Sequence, residues 1–163
     1  MITLKTSREL ALMRDSGRLL GQVLARLEAM VVPGVTTAQI EAEADRMIKE
    51  AGAIATFRGQ PGLVPHARPY PSATCISINE EVIHGMPSAR VVKDGDVVSI
   101  DCGVTLKGFV SDSAISVIAG TAKPDVVRLV ETTRKCLDAA IETARPGARL
   151  HDVSFAVQMV AEG

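Results

Sequence analysis

The chain has 163 residues, 47% of them hydrophobic and 23% charged, with a net charge of −1, which is typical of one globular domain with a buried core. The lack of a basic excess, and an aromatic content of only 2%, argue against a nucleic-acid interface. Three scattered cysteines exclude a disulfide framework, and no segment resembles a signal peptide or a membrane span. We therefore expect a reducing, cytoplasmic location without membrane contact.

Two helices are predicted at the start of the chain. A capping box at Thr6–Glu9 is followed by apolar residues spaced three and four apart, which predict a helix to about Ala29. After a Pro-Gly break, Thr36 or Thr37 caps a second helix, and Gly52 marks its end. The apolar stripe of the second helix is predicted to be Ile40, Ala44, Met47, Ile48 and Ala51.

The middle of the chain has the two-residue period of β-strands. A short strand is predicted within 53–57, and prolines and glycines then exclude regular structure over 58–72. Longer strands are predicted at 75–79, 97–105 and 109–118.

A helix, a Pro-Gly break and a second helix occur twice in the sequence. Pro33-Gly34 leads into a helix ending near Gly52, and Pro146-Gly147 leads into a similar one ending near Gly163. The period suggests a duplicated helix–helix–sheet unit whose second copy stops where its strands would begin. A coincidence of common helical patterns is the alternative.

Two aspartates stand in the apolar strands. If Lys107-Gly108 forms the turn, Gly103 pairs with Asp112, and Asp101 then lies diagonally across the ladder on the same face, roughly 7–8 Å away by Cα. A one-residue slip would place the two aspartates on opposite faces. Two converging carboxylates repel each other, and a divalent cation relieves that repulsion. Alternatively, one aspartate ends a strand and the other caps a turn.

Other candidate residues carry less information by themselves. His84 lies at the edge of a β segment, where a histidine is more often a solvated turn residue than a catalytic one. No HExxH, GxSxG, P-loop or GxGxxG pattern occurs, and Cys75 and Cys102 read as small buried hydrophobes.

Four motifs follow one another in the middle of the chain, CISINEEVIHGMP at 75–87, KDGDVVSID at 93–101, KGF at 107–109 and DS at 112–113. In this combination the block resembles the type I methionine aminopeptidases, and the resemblance extends through both helical units. It implies an α/β (α+β) pita-bread fold, with an antiparallel sheet covered by helices and a pseudo-two-fold repeat. On this view residues 1–163 are one metallopeptidase catalytic domain cut short, with a first half-repeat at about 6–120 and the start of a second at about 124–163.

The resemblance also implies a site with two divalent metal ions and five ligands. Asp101 and Asp112 match the first two ligands, and His84 matches a catalytic histidine that contacts the substrate. Tyr70 and Cys75 match residues of the methionine pocket, and His66 matches a further loop histidine. The implied ions are Co, Mn, Fe, Zn or Ni, and the implied partners are the N-terminal methionines of peptides and nascent proteins. A position near the ribosome and a monomeric full-length enzyme are also expected.

Two departures from the family pattern bear on these expectations. Val110-Ser111 replaces the usual His-Gly before Asp112, which matches the family's ligand that bridges both metals. The remaining ligands, one histidine and two glutamates, belong to the later part of the family's chain. We therefore expect little activity from residues 1–163 alone, weak metal affinity and an exposed apolar sheet edge. The alternatives are an inactive pita-bread binding module, an inactive fragment of the enzyme, or a related metallopeptidase such as a prolidase, against which the 75–87 block argues.

Overall fold

The computed structural model describes residues 3–61 and 68–163. They form two units, residues 1–121 and residues 122–163, with the division just before the third helix. The loop histidine His66 lies outside the described residues. None of the described helices is both long and apolar enough to span a membrane.

The first unit begins with the two predicted helices, α1 (Ser7–Met30) and α2 (Thr37–Glu50). Each starts with a capping box, in which a threonine hydroxyl accepts the amide proton three residues on and that residue's side chain accepts the threonine amide proton. The cap of α2 is Thr36, which settles the choice between two threonines. Ala51 was predicted to face the core, but it is the exposed C-cap of α2 because the helix ends there.

The sheet consists of β1 (Ile54–Ala55), β2 (Thr74–Ile78), β3 (Val97–Leu106) and β4 (Phe109–Ile118), all antiparallel to β3. The central strand β3 pairs with β4 along its whole length. On the other edge of β3, β2 pairs with residues 98–102 and β1 pairs with residues 104–105. Alternate residues of β3 are buried towards α1, and the intervening residues face the opposite side of the sheet. The buried set is Val98, Ile100, Cys102 and Val104.

The outer edge of β4 agrees with expectation in being unpaired and differs from it in composition. No strand within 3–61 and 68–163 pairs with the outer edge of β4, as expected. Its exposed side chains are mostly small or polar, so the edge is less apolar than predicted. They are Val110, Asp112, Ser113, Ala114 and Ser116.

The second unit contains α3 (Pro124–Thr143) and α4 (Leu150–Glu162), which pack against each other. Gly147 in the intervening Pro-Gly break has a φ of 94°, and Gly34 in the first break has a φ of 99°. Both glycines therefore adopt the left-handed conformation that allows a sharp turn between helices. Several large apolar side chains of this unit are exposed, namely Leu129, Leu137, Ile141, Leu150, Phe155 and Met159.

Candidate active site

The two aspartates are brought together by the hairpin of β3 and β4. Lys107 and Gly108 form its two-residue turn with φ values of 51° and 82°, as in a type I′ turn. Leu106 then pairs with Phe109 and Gly103 with Asp112, and Asp101 lies opposite Ala114. The predicted register is therefore confirmed, and the two carboxylates lie diagonally on the same face of the sheet.

That face also carries Cys75, because β2 pairs Cys75 directly with Asp101. Between the two aspartates, Gly103 leaves room for the ring of Phe57. A Cβ atom at Gly103 would lie 2.8 Å from a ring carbon of Phe57, closer than side chains approach. Glycine in this strand is thus required by close packing at the site.

These groups open into one cavity of about 500 Å³. Five of the six site residues singled out from the sequence contribute to it, the sixth being His66, which lies outside the described residues; five further residues were not singled out. The lining consists of Phe57, Gln60, Pro61, Arg68, Tyr70, Cys75, His84, Met86, Asp101 and Asp112.

The carboxyl group of Asp101 is electrostatically strained. Burial raises its pKa, and so does the nearby Asp112 carboxylate, while His84 and the amide of Cys102 act in the opposite direction. Neither aspartate forms an ion pair with a lysine or arginine of the described residues. Two like charges without a basic partner are the arrangement that a cation stabilises.

The two aspartates are an incomplete set of metal ligands. In the described part of the chain, no group of three or more His, Cys, Asp or Glu side chains is placed to hold an ion. The aspartate pair therefore fits a divalent metal as two oxygen ligands of the five or six that such ions prefer.

Tyr70 and Cys75 line the wall of the cavity next to Asp101. Burial raises the pKa of both groups, so the phenol and the thiol are neutral at physiological pH. The hydroxyl of Tyr70 donates to the carbonyl of Thr74 at 2.9 Å. The wall beside the aspartates is thus uncharged and partly apolar.

Val110 and Ser111, which replace the family's His-Gly, lie on opposite faces of β4. Ser111 faces α1, where its hydroxyl lies 2.9 Å from that of Ser16, and Ser16 also donates to the carbonyl of Val104 at 3.2 Å. Val110 lies on the same face as Asp112, pairs with Thr105 and is 52% exposed. The replacement therefore adds a half-buried contact between β4 and α1 and leaves an exposed valine on the face of β4 that carries Asp112.

Asp101→Asn tests the electrostatic strain. The folded state binds the proton of Asp101 more tightly than the unfolded state, so its stability falls as pH rises from the ordinary aspartate pKa through the raised one. We expect Asp101→Asn in metal-free buffer to increase the free energy of unfolding at pH 7 by roughly 0.5–1 kcal/mol, and by less at pH 4. Urea unfolding at both pH values measures this. Equal or lower stability of the variant at pH 7 would contradict it.

Comparisons with known proteins define the class of the molecule. Residues 11–163 match metallopeptidase family M24, and the chain belongs to that family. Membership of a metallopeptidase family implies a divalent-metal cofactor, in agreement with the paired carboxylates.

Methionine aminopeptidases are prominent among the relatives. Methionine aminopeptidase 1 of Bacillus subtilis is 39% identical over 162 residues, covering 99% of this chain and 62% of the relative. The crystal structure of methionine aminopeptidase from Rickettsia prowazekii has a TM-score of 0.92 at 32% identity, covering 99% and 62% of the two chains. The prolidase from Pyrococcus furiosus shares the fold, with a TM-score of 0.81 at 18% identity over 98% of this chain and 44% of the prolidase.

These comparisons confirm the resemblance and the predicted α/β pita-bread fold. The chain spans 62% of the length of the Bacillus subtilis relative. The roles of His84, Tyr70, Cys75, Asp101 and Asp112 stay predictions, although the structure places all five around one cavity.

Proposed function

We propose that this chain is the part of a methionine aminopeptidase that receives the N-terminal methionine of a peptide or nascent protein and contributes two metal ligands. The reaction is metal-dependent hydrolysis of the first amide bond. The observation that carries this proposal is the pair Asp101 and Asp112, held on one face by the hairpin register and opening into a cavity lined by His84.

The cavity suits an uncharged, flexible side chain. Phe57 and Met86 supply apolar surface, and Tyr70 and Cys75 stay neutral at its wall. A thioether packs well against aromatic rings and other soft groups. We assign this wall to the methionine side chain.

Asp101 and Asp112 would hold the divalent metal. A bound ion supplies a Lewis acid and lowers the pKa of a coordinated water. The number of ions, two, and their identity among Co, Mn, Fe, Zn and Ni stay predictions. His84 lies exposed at the cavity and is assigned to donate a hydrogen bond from its imidazole to the amide oxygen as that atom gains negative charge.

Metal titration of residues 1–163 tests the assignment directly. Two carboxylates supply fewer than half of the ligands that a tight site needs, so we expect Mn²⁺ to bind with a dissociation constant of about 10⁻⁴ M or weaker. Asp112→Asn is expected to weaken binding at least about tenfold, because one of the two oxygen donors loses its charge. Isothermal titration calorimetry measures both values.

Asp138→Asn is the matched control, since Asp138 is 58% exposed on α3 and pairs only with Arg134 among the described residues. It should leave Mn²⁺ affinity unchanged. Tight binding that survives Asp112→Asn would place the metal elsewhere and refute the assignment. Metal binding without any cleavage in a full-length context would favour the alternative of an inactive binding module.

The cellular setting is part of the same proposal. All three cysteines are free thiols, as in proteins of reducing compartments, and we assign the chain to the cytoplasm. The expected position near the ribosome and the monomeric state of a full-length enzyme stay predictions.

A further inference from the structure

His84 has a backbone conformation that its own chemistry does not favour. Its φ is 59°, in the left-handed region that is adopted routinely by glycine and only occasionally by other residues. The preceding residue, Ile83, is 68% exposed, so packing of its side chain does not impose this conformation on His84. On the C-terminal side, in contrast, the backbone of Gly85 is held by hydrogen bonds to β2.

The next residue, Gly85, is fixed against the outer edge of β2. Its carbonyl oxygen accepts a hydrogen bond from the amide of Ile76 at 2.8 Å, and it lies 3.4 Å from the hydroxyl of Tyr70. A Cβ atom at this position would lie 2.3 Å from the carbonyl oxygen of Ile76, so only glycine can approach so closely.

The amide of Gly85 has a different partner, the side chain of Ser77. It donates to the Ser77 hydroxyl at 3.0 Å. Ser77 is 4% exposed and is the penultimate residue of β2, the strand that also carries Cys75. The peptide that joins His84 to Gly85 is thus held by a side chain that no step of the proposed reaction uses.

The geometry points to Ser77 as a positioning residue: its hydroxyl, by holding the Gly85 amide, keeps His84 in the left-handed conformation at the cavity. This inference rests on the proposed role of His84. Without the hydroxyl, the amide of Gly85 loses its acceptor, and the backbone of His84 is free to return to the more favourable region of negative φ.

The experiment compares Ser77→Ala with Ser99→Ala in the 163-residue chain. Ser99 is the cross-strand partner of Ser77, and its hydroxyl contacts Ser116 rather than Gly85, so it is a matched control. NMR spectroscopy reports φ at His84 through its backbone ¹³C shifts, and mobility through ¹⁵N order parameters. We expect Ser77→Ala to move the His84 shifts away from left-handed values and to lower its order parameter from about 0.85 to below about 0.6.

Ser99→Ala should leave His84 unchanged, and Ser77→Thr, which keeps the hydroxyl, should preserve the wild-type signature. Unchanged shifts and order parameter in a folded Ser77→Ala chain would overturn the inference. If Ser77→Ala does not fold, hydrogen exchange of wild-type Gly85 decides: a protected amide supports the inference, and one that exchanges as fast as an open loop overturns it.

A paramagnetic measurement separates this inference from the proposed function. Mn²⁺ added to the wild-type chain is expected to broaden the imidazole signals of His84 several-fold more than it does in Ser77→Ala. If Mn²⁺ broadens the NMR signals of neither Asp101 nor Asp112 in the wild-type chain, the metal assignment fails. The metal-free φ and mobility of His84 then still decide the role of Ser77.

Discussion

Replacing Asp112 with Asn is expected to abolish peptide cleavage in a chain that carries a complete site. Such a chain can be made by joining residues 1–163 to the portion of the Bacillus subtilis methionine aminopeptidase that the match leaves out. The unsubstituted chimera, loaded with Co²⁺ or Mn²⁺, should release methionine from Met-Ala peptides. Asp112→Asn should lower kcat/KM by at least about 10³-fold, because in the proposed site Asp112 would be one of the charged oxygen ligands that position the metal.

The substitution is not expected to unfold the chain. Asp112 is exposed, and its removal eliminates repulsion with Asp101, so the melting temperature should stay the same or rise slightly. Asp138→Asn in the same chimera should retain full activity. An active Asp112→Asn chimera would refute the metal assignment, and an inactive but metal-loaded parent chimera would favour a binding module.

The hairpin shows which part of the site is encoded locally. The Lys107-Gly108 turn and the alternation of apolar residues fix the register, since a slip of one residue would turn the buried face of β3 to solvent. The common face of Asp101 and Asp112 follows from that register. The sequence was sufficient here because every determinant lies within about twenty residues of the chain.

The remaining wall of the cavity depends on contacts between distant segments. Phe57 reaches the site only because β1 pairs with β3, and Met86 only because Gly85 docks on β2. A glycine inside a strand often marks close approach by another group, so Gly103 carried the one available sequence signal for Phe57. Nothing comparable identified Gln60 or Arg68, which lie in a stretch predicted only as loop.

Ser77 and Glu41, which lie behind the site, could not be identified from the sequence either. Both bind backbone amides outside their own elements: Ser77 binds Gly85, eight residues further on, and Glu41 binds the start of β2, 33 residues further on. Helical periodicity does not single out Glu41, because a glutamate in an amphipathic helix is usually solvated. Its role appears only when the packing of α2 against the sheet is known.

Glu41→Ala is expected to cause the largest loss of stability among the substitutions considered. The Glu41 carboxylate accepts three hydrogen bonds. The amides of Ala73 and Thr74 donate at 2.6 and 2.9 Å, and the hydroxyl of Thr74 donates at 2.6 Å. Ala73 and Thr74 are fully buried, so water cannot readily replace the lost acceptor. We expect the free energy of unfolding to fall by about 3 kcal/mol, measured by urea denaturation.

Glu50 is a control that shows how much of the effect of Glu41→Ala depends on burial of the side chain. Glu41 also lies 3.4 Å from the guanidinium of Arg58. Glu50, on the same helix, likewise binds an arginine, Arg46, at 2.6 Å, but its side chain is 64% exposed. Glu50→Ala should therefore cost less than about 0.5 kcal/mol. Similar losses in the two variants would show that Glu41 acts only as a surface charge. A selective loss at Glu41 would mean that α2 fixes the start of the strand carrying Cys75, so the helix layer sets the geometry of the cavity wall beside the two aspartates.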